Sequence, residues 1–253
     1  DVILGSAATQ RLTLDAPSLQ GQGGEMRVRA QNVTLRNTTG RSASPEVMGA
    51  GTLNVAADPT WSDVRTGGLT IGQGAVRLAV DAARLSSQGD IVFDGPAGTS
   101  HALTAQGDLT LSAARVTATS GTTHAADAGG VLSVTSTPGG RTLGEHVGLG
   151  AALQLSGQRV VQAGRVELAS GRVTLEGRGA AGRTDTVVMA AGSTTSAAGA
   201  VLQAGQQWAV STAGEQVTAR ALEGDVHVGG TIDVSAGGVA VRRQRLCADG
   251  IRL

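Results

Sequence analysis

The sequence predicts an all-β protein built as a β-solenoid, in which coils of roughly 20 residues stack on one another and loops are inserted between some strands. Three observations predict this fold. Apolar and polar residues alternate with a period of two, similar sequence segments recur at a nearly regular spacing, and glycine is frequent, with 39 of 253 residues. So much glycine disfavours long helices and suits the corners of a solenoid.

Short strands are predicted wherever the alternation holds. Because successive side chains of a strand point to opposite faces, a period of two indicates one buried face. No stretch sustains a helical period. The alternating runs begin at Leu12, Met26, Leu53, Leu78, Leu109, Leu132, Leu153, Val166, Val187 and Trp208.

The spacing of these runs predicts repeated coils. Nearly equal steps separate Leu109, Leu132 and Leu153, and equal steps separate Val166, Val187 and Trp208. A leucine-rich repeat would need an L-x-x-L-x-L-x-x-N pattern, which the sequence lacks, so the solenoid is favoured. At a strand spacing of about 4.8 Å, eleven or twelve coils would form a rod of about 55 Å.

Segments rich in glycine, serine and proline interrupt the alternation and are predicted to be loops that leave the stack. No interdomain linker is evident, so residues 1–253 are expected to form one solenoid segment, an interior fragment of a larger protein. The predicted loops are residues 37–51, 56–68, 94–101, 119–130, 136–148 and 178–185.

Composition excludes several classes of function. Twenty basic and twenty acidic residues cancel, which argues against nucleic acid and anionic membranes as partners. No run approaches 18 apolar residues, so membrane insertion is not expected. Cys247 is the only cysteine, so no internal disulfide can form, and a chain almost free of cysteine suits export in an unfolded state.

No catalytic or metal-binding pattern stands out. The nearest acidic pairs are Asp90 with Asp94, which flank a strand, and Asp58 with Asp63, and both are interpreted as solvated carboxylates. The four histidines have no metal-ligand spacing, although stacking of coils could bring some together. The sequence therefore predicts no cofactor, no metal and no enzyme, and a polysaccharide-active β-helix remains the less favoured alternative.

Three residues are candidates for binding. Arg27 and Arg29 lie on the outward face of a predicted strand, where guanidinium groups could contact a sulfated glycan, although a solvated face is the simpler explanation. Trp61 lies in a predicted loop and could stack on a sugar, or could cover an apolar seam. Trp208 occupies the position of an inward leucine, and residues 238–246 hold a second arginine cluster.

Several phrases resemble the large exoproteins of the filamentous haemagglutinin family, in their distal region. They are VVQAGRVELASGRVTLEG with TDTVVMAAGSTTSAAG (within 160–199), GTIDVSAGG (230–238), GTLNVAA (51–57) and GDLTLSAARVTATSGTTHAADAGGVLSV (107–134). The resemblance implies a right-handed parallel β-helix that is secreted to the bacterial surface. It also implies export by two-partner secretion through an outer-membrane transporter, which would recognise a region outside these residues.

The resemblance further implies adhesion to a host-cell receptor or glycan, or to neighbouring bacteria, with loops held on a rigid rod. The alternative within the same family is a passive stalk that displays a contact-dependent toxin or captures a host protein. The sequence segments that carry the resemblance reflect the repeated fold and not a binding site, so they do not identify a receptor.

Overall fold

The chain folds into three long parallel β-sheets, as the alternation predicts. The computed structural model describes residues 1–58, 68–142, 148–179, 184–204, 208–236 and 251–252. No helix occurs within these ranges, and so none that is long and apolar enough to cross a membrane. The predicted solenoid, a parallel β-helix, is confirmed.

Most coils visit the three sheets in turn, and each visit adds one strand. Sheet A contains β1 (Val2–Gly5), β4 (Gln22–Ala30), β6 (Ala50–Ala57), β9 (Ala82–Ser87), β12 (Asp108–Ala113), β15 (Val131–Ser136), β17 (Arg159–Ala163), β20 (Asp185–Met189) and β25 (Asp225–Val228). Sheet B contains β2 (Arg11–Asp15), β5 (Asn32–Arg36), β7 (Gly68–Ile71), β10 (Asp90–Phe93), β13 (Arg115–Ala118), β18 (Arg165–Glu167), β21 (Thr194–Ser196) and β26 (Thr231–Asp233).

Sheet C contains β3 (Ser18–Gln20), β8 (Ala75–Ala79), β11 (Ser100–Ala105), β14 (Thr123–Ala128), β16 (Ala152–Gly157), β19 (Arg172–Gly177), β24 (Gln216–Ala221) and β27 (Ile251–Arg252). Its last strand differs from the others because β27 pairs antiparallel with β24. A separate antiparallel pair is formed by β22 (Val201–Ala204) and β23 (Trp208–Ser211).

The inward residues of the three sheets form one apolar core. In sheet A, Leu111 lies between Leu85 and Val134 on the neighbouring rungs, and all three side chains are fully buried. Such columns bury the same kind of residue at each level, so each coil is stabilised by the coils above and below it. Leu155, predicted to point inward, is also fully buried, in sheet C.

The corners between sheets C and A are closed by glycine. A Cβ on Gly107 would lie 2.0 Å from the carbonyl oxygen of Asp81, and one on Gly129 would lie 2.0 Å from that of Gln106. No side chain fits at this separation, which explains part of the glycine content.

The coils are longer than predicted, and the described residues form fewer of them. In sheet A, the step from Leu109 to its register partner Leu132 is short, whereas the step from Val187 to Val226 is much longer. Over the described ranges sheet A has nine rungs, so eight spacings of about 4.8 Å give a stack of roughly 38 Å, against the predicted length of about 55 Å.

Part of the predicted spacing was wrong because it joined strands of different sheets. Leu132 is in sheet A, whereas Leu153 is in sheet C. Val166 is in sheet B, Val187 is in sheet A, and Trp208 begins the antiparallel β23. Every sheet carries the same alternation, so a step between two sheets looks like a step between two rungs.

Two coils omit a strand, and in each case the strands above and below the missing one pair directly with each other. The second coil leaves sheet C through residues 37–49, so β3 pairs directly with β8. The sixth coil leaves sheet B through the connection between β15 and β16, so β13 pairs with β18. These two excursions agree with the predicted insertions, whereas 119–130 was wrongly predicted as a loop because it contains β14.

Candidate functional site

The predicted binding residues Arg27 and Arg29 lie on the outward face of β4. The strand alternates as predicted, with Val28 and Ala30 buried and both arginines exposed. The two guanidinium groups therefore face solvent at one side of the stack.

Each of these arginines is paired with a carboxylate. Arg27 donates to Glu25 on the same strand, and the Arg29 guanidinium lies 2.8 Å from the Asp58 carboxylate. The hydrogen bond with Glu25 raises the pKa of Arg27, and the same bond, aided by Asn54, lowers the pKa of Glu25. Both arginine charges are thus largely neutralised within the chain.

The next rungs extend this polar surface. Asn54 pairs in register with Arg27 and donates to Glu25, and Arg84 follows Asn54 on β9. Arg84 is exposed and has no ion-pair partner among the residues that the structure describes. We call this surface the arginine face, defined as Glu25, Arg27, Arg29, Asn54, Asp58 and Arg84. Three guanidinium groups and two carboxylates give it one net positive charge.

The tryptophan candidates cannot be joined to this surface. Trp61 lies outside the described residues, as do Asp63 and the arginines of 238–246. Trp208 begins β23, which pairs with β22 outside the three parallel sheets, so it does not lie on a rung of the stack as predicted. Its side chain lies outside the described residues.

Asp90 is the clearest departure from the sequence-based interpretation. It was interpreted as a solvated carboxylate, but its side chain is fully buried and lies 2.6 Å from the Arg115 guanidinium. Arg115 also lies 3.6 Å from Glu167, across the place where sheet B omits a strand. Asp94 is exposed, as interpreted, and Asp58 is partly exposed beside Arg29.

A pair of histidines is the site that sequence analysis missed. His101 and His124 are register partners on β11 and β14, with ring centroids 4.9 Å apart. His124 is buried and its ring lies 5.4 Å from that of Phe93. Because 119–130 was interpreted as a loop, the inward alternation of His124, Ala126 and Ala128 went unrecognised.

Burial sets the protonation of both rings. Desolvation lowers the pKa of His124 to about 4, helped by the neighbouring His101 and opposed by Asp94. Desolvation also lowers the pKa of His101, and Asp94 again opposes it. Both rings are therefore neutral at physiological pH. Among the described residues no group of three or more metal-ligating side chains comes together.

Comparisons of the chain with protein-family models, with curated proteins and with solved structures found no match.

Proposed function

We propose that this chain is a rod segment of a large secreted bacterial surface adhesin of the filamentous haemagglutinin type. The observation that supports the proposal best is the parallel stack, whose sheets continue even where a coil omits a strand. Such a stack holds loops and outward side chains at fixed positions along one axis. Weak contacts repeated along the rod then add through multivalency.

The arginine face is the proposed contact surface. Guanidinium groups keep several N–H donors even when one carboxylate is bound, and sulfate or carboxylate groups of a glycan accept such donors. Arg84 adds a guanidinium without an ion-pair partner in the described part of the chain. A host-cell receptor, a host glycan or a neighbouring bacterium is the proposed partner, and no nucleic acid is involved.

A binding assay on the purified chain tests this proposal. We expect saturable binding to epithelial cells or to sulfated glycans on an array, and a loss of several-fold in the double variant Arg27→Ser with Arg29→Ser. The matched control is Arg172→Ser with Arg220→Ser, which removes two arginines of similar exposure from sheet C. Equal loss in both variants would show that net charge, and not this surface, determines binding. Trp61→Ala tests the predicted aromatic contact separately.

The second candidate is a passive stalk that displays a toxin or captures a host protein. The ion pairs of Arg27 and Arg29 favour it, because a surface whose charges are already paired gains less from a charged ligand. Absence of saturable binding by the wild-type chain, with the fold intact, would replace the adhesive proposal by this one.

Secretion is a separate part of the proposal. Export by two-partner secretion requires an amino-terminal export domain in the full-length protein and a matching outer-membrane transporter. Deleting the transporter gene from the source bacterium should retain the protein inside the cell. Unchanged surface display in that strain would contradict the proposed route.

A further inference from the structure

One inward-facing column of sheet C has histidine, instead of an aliphatic residue, at two consecutive rungs. His124 is followed in register by Leu153, Val173 and Val217, which are all buried aliphatic residues. His101 precedes it and is half-buried. Two adjacent imidazoles therefore occupy positions that the later rungs fill with leucine or valine.

The hydrogen bonds of His101 assign its neutral form. The backbone N–H of Gly74 donates to Nδ1 at 3.0 Å, so Nδ1 carries no proton. Nε2 lies 2.6 Å from the hydroxyl of Thr99, which itself donates to the carbonyl of Pro96, so Nε2 is the protonated nitrogen. A second proton on the ring would have to displace the Gly74 N–H.

The segment between β10 and β11 is held against this ring. A Cβ on Gly95 would lie 2.1 Å from Nε2 of His101, which shows how closely the backbone packs there. Thr99 and Pro96 complete the contact through the hydrogen bonds of the Thr99 hydroxyl. Residues 94–99 thus close one corner of the stack, where His101 supplies the side-chain contact. Backbone N–H groups also tie the segment to its neighbours, from Asp94 to the carbonyl of Ile71 and from Gly98 to that of Gly121.

The surroundings of His124 offer a proton little stabilisation. Its Nε2 is buried and has no hydrogen-bond partner in the described part of the chain. The next rung places the buried Leu153 in register with it, and Phe93 lies against the ring. The charged group that acts on both imidazoles is the exposed Asp94 carboxylate.

We propose that the stacked His101–His124 pair is an acid-sensitive latch that keeps residues 94–99 closed on the solenoid at neutral pH and releases them on acidification. Protonation breaks the Gly74 bond and places positive charge beside a second buried imidazole. The corner then opens together with the adjoining parts of β11 and β14, which exposes both rings to water, while the remaining coils keep their register. This inference does not depend on the proposed adhesive function.

The sign and the pH range follow from the lowered pKa values. For a histidine whose pKa is lower in the closed state, that state has its full stability at pH values above the ordinary pKa of 6.5. The stability is lost as the pH falls from 6.5 toward the lowered pKa. With a pKa of about 4 for His124, the opening equilibrium at pH 5 is about 30-fold larger than at pH 8. The lowered pKa of His101 acts in the same direction.

Amide hydrogen exchange measured by mass spectrometry tests the latch. After correction for intrinsic exchange rates, we expect protection in peptides covering 94–106 and 119–128 to fall by about 30-fold from pH 8 to pH 5. Peptides covering 22–36 serve as the internal reference and should change little. A fall of less than about threefold in the histidine region would overturn the proposal.

Three variants make the test specific. The double variant His101→Leu with His124→Leu places aliphatic side chains where later rungs have them and should remove the pH dependence. His227→Leu, at an exposed position of β25, should behave as the wild type. Asp94→Asn, an exposed change that leaves the core intact, should deepen the acid-induced loss because the carboxylate stabilises the protonated rings. An unchanged pH response in the double variant, or a smaller response in Asp94→Asn, would refute the latch.

Discussion

Leu111→Ala is the substitution for which the stacked core makes the sharpest stability prediction. Leu111 is fully buried in β12 and packs between Leu85 and Val134 of the adjacent rungs. Truncation removes three buried carbon groups from the core. At about 0.8 kcal/mol each, the lost hydrophobic free energy is about 2.4 kcal/mol. The rungs are hydrogen-bonded at fixed spacing and cannot collapse fully into the gap, so a cavity adds to the cost. The total expected loss is about 3 to 5 kcal/mol.

The neighbouring residue provides the control. Thr110 lies in the same strand but points outward and is only partly buried. Thr110→Ala should change stability by less than about 1 kcal/mol. Urea denaturation followed by circular dichroism measures both values, provided that the slopes of the unfolding curves agree. Equal costs for the two variants, or a larger cost at Thr110, would refute the assignment of the inward face.

Two further predictions concern charged groups. Arg115→Met removes the guanidinium that neutralises the buried Asp90 carboxylate, so the free energy of unfolding should fall by about 3 to 5 kcal/mol. Arg27→Met breaks an exposed ion pair and should lower it by less than about 1 kcal/mol. Identical urea midpoints for the two variants would contradict this difference. The backbone N–H of Thr38, and then its hydroxyl, lower the pKa of Asp15, so the stability that this carboxylate contributes is present above its ordinary value of 3.8 and lost as pH falls below it. Thr38→Val keeps the N–H and should raise the pKa of Asp15 only part of the way toward 3.8 in an NMR titration, and an unchanged pKa would show that the hydroxyl contributes nothing.

The local pattern was sufficient to predict the fold class and the inward residues. Alternation identifies which side of a strand is buried, and it correctly placed Leu111 and Val134 inside. The stacking of Leu109 on Leu132 was also confirmed. These features depend on residues close together in sequence, where the period of two is unambiguous.

Pairing between distant segments could not be predicted in the same way. The direct pairing of β3 with β8 depends on residues 37–49 leaving the stack, and nothing in the alternation of either strand indicates it. The order of rungs is a property of the whole stack, because every sheet offers the same apolar face to its neighbours.

The polar sites were missed for a related reason. Asp90 looks like a turn carboxylate until Arg115 is placed beside it on the next rung of sheet B. His124 lies in a segment of alanine and threonine whose small side chains hide the alternation, so β14 and its register with His101 were overlooked. Both sites result from neighbours above and below, which a single strand does not reveal.

The most direct test of the parallel stack is a set of spin-label distances along one outward column. Arg27, Ser133 and Val188 belong to the same column of sheet A, with Ser133 four rungs and Val188 six rungs from Arg27. Nitroxide pairs in a Cys247→Ser background should give backbone separations of about 19 Å for Arg27 with Ser133 and about 29 Å for Arg27 with Val188, in proportion to the number of rungs. Distances that do not grow with rung number, or a second pair no farther apart than the first, would contradict the stacked solenoid.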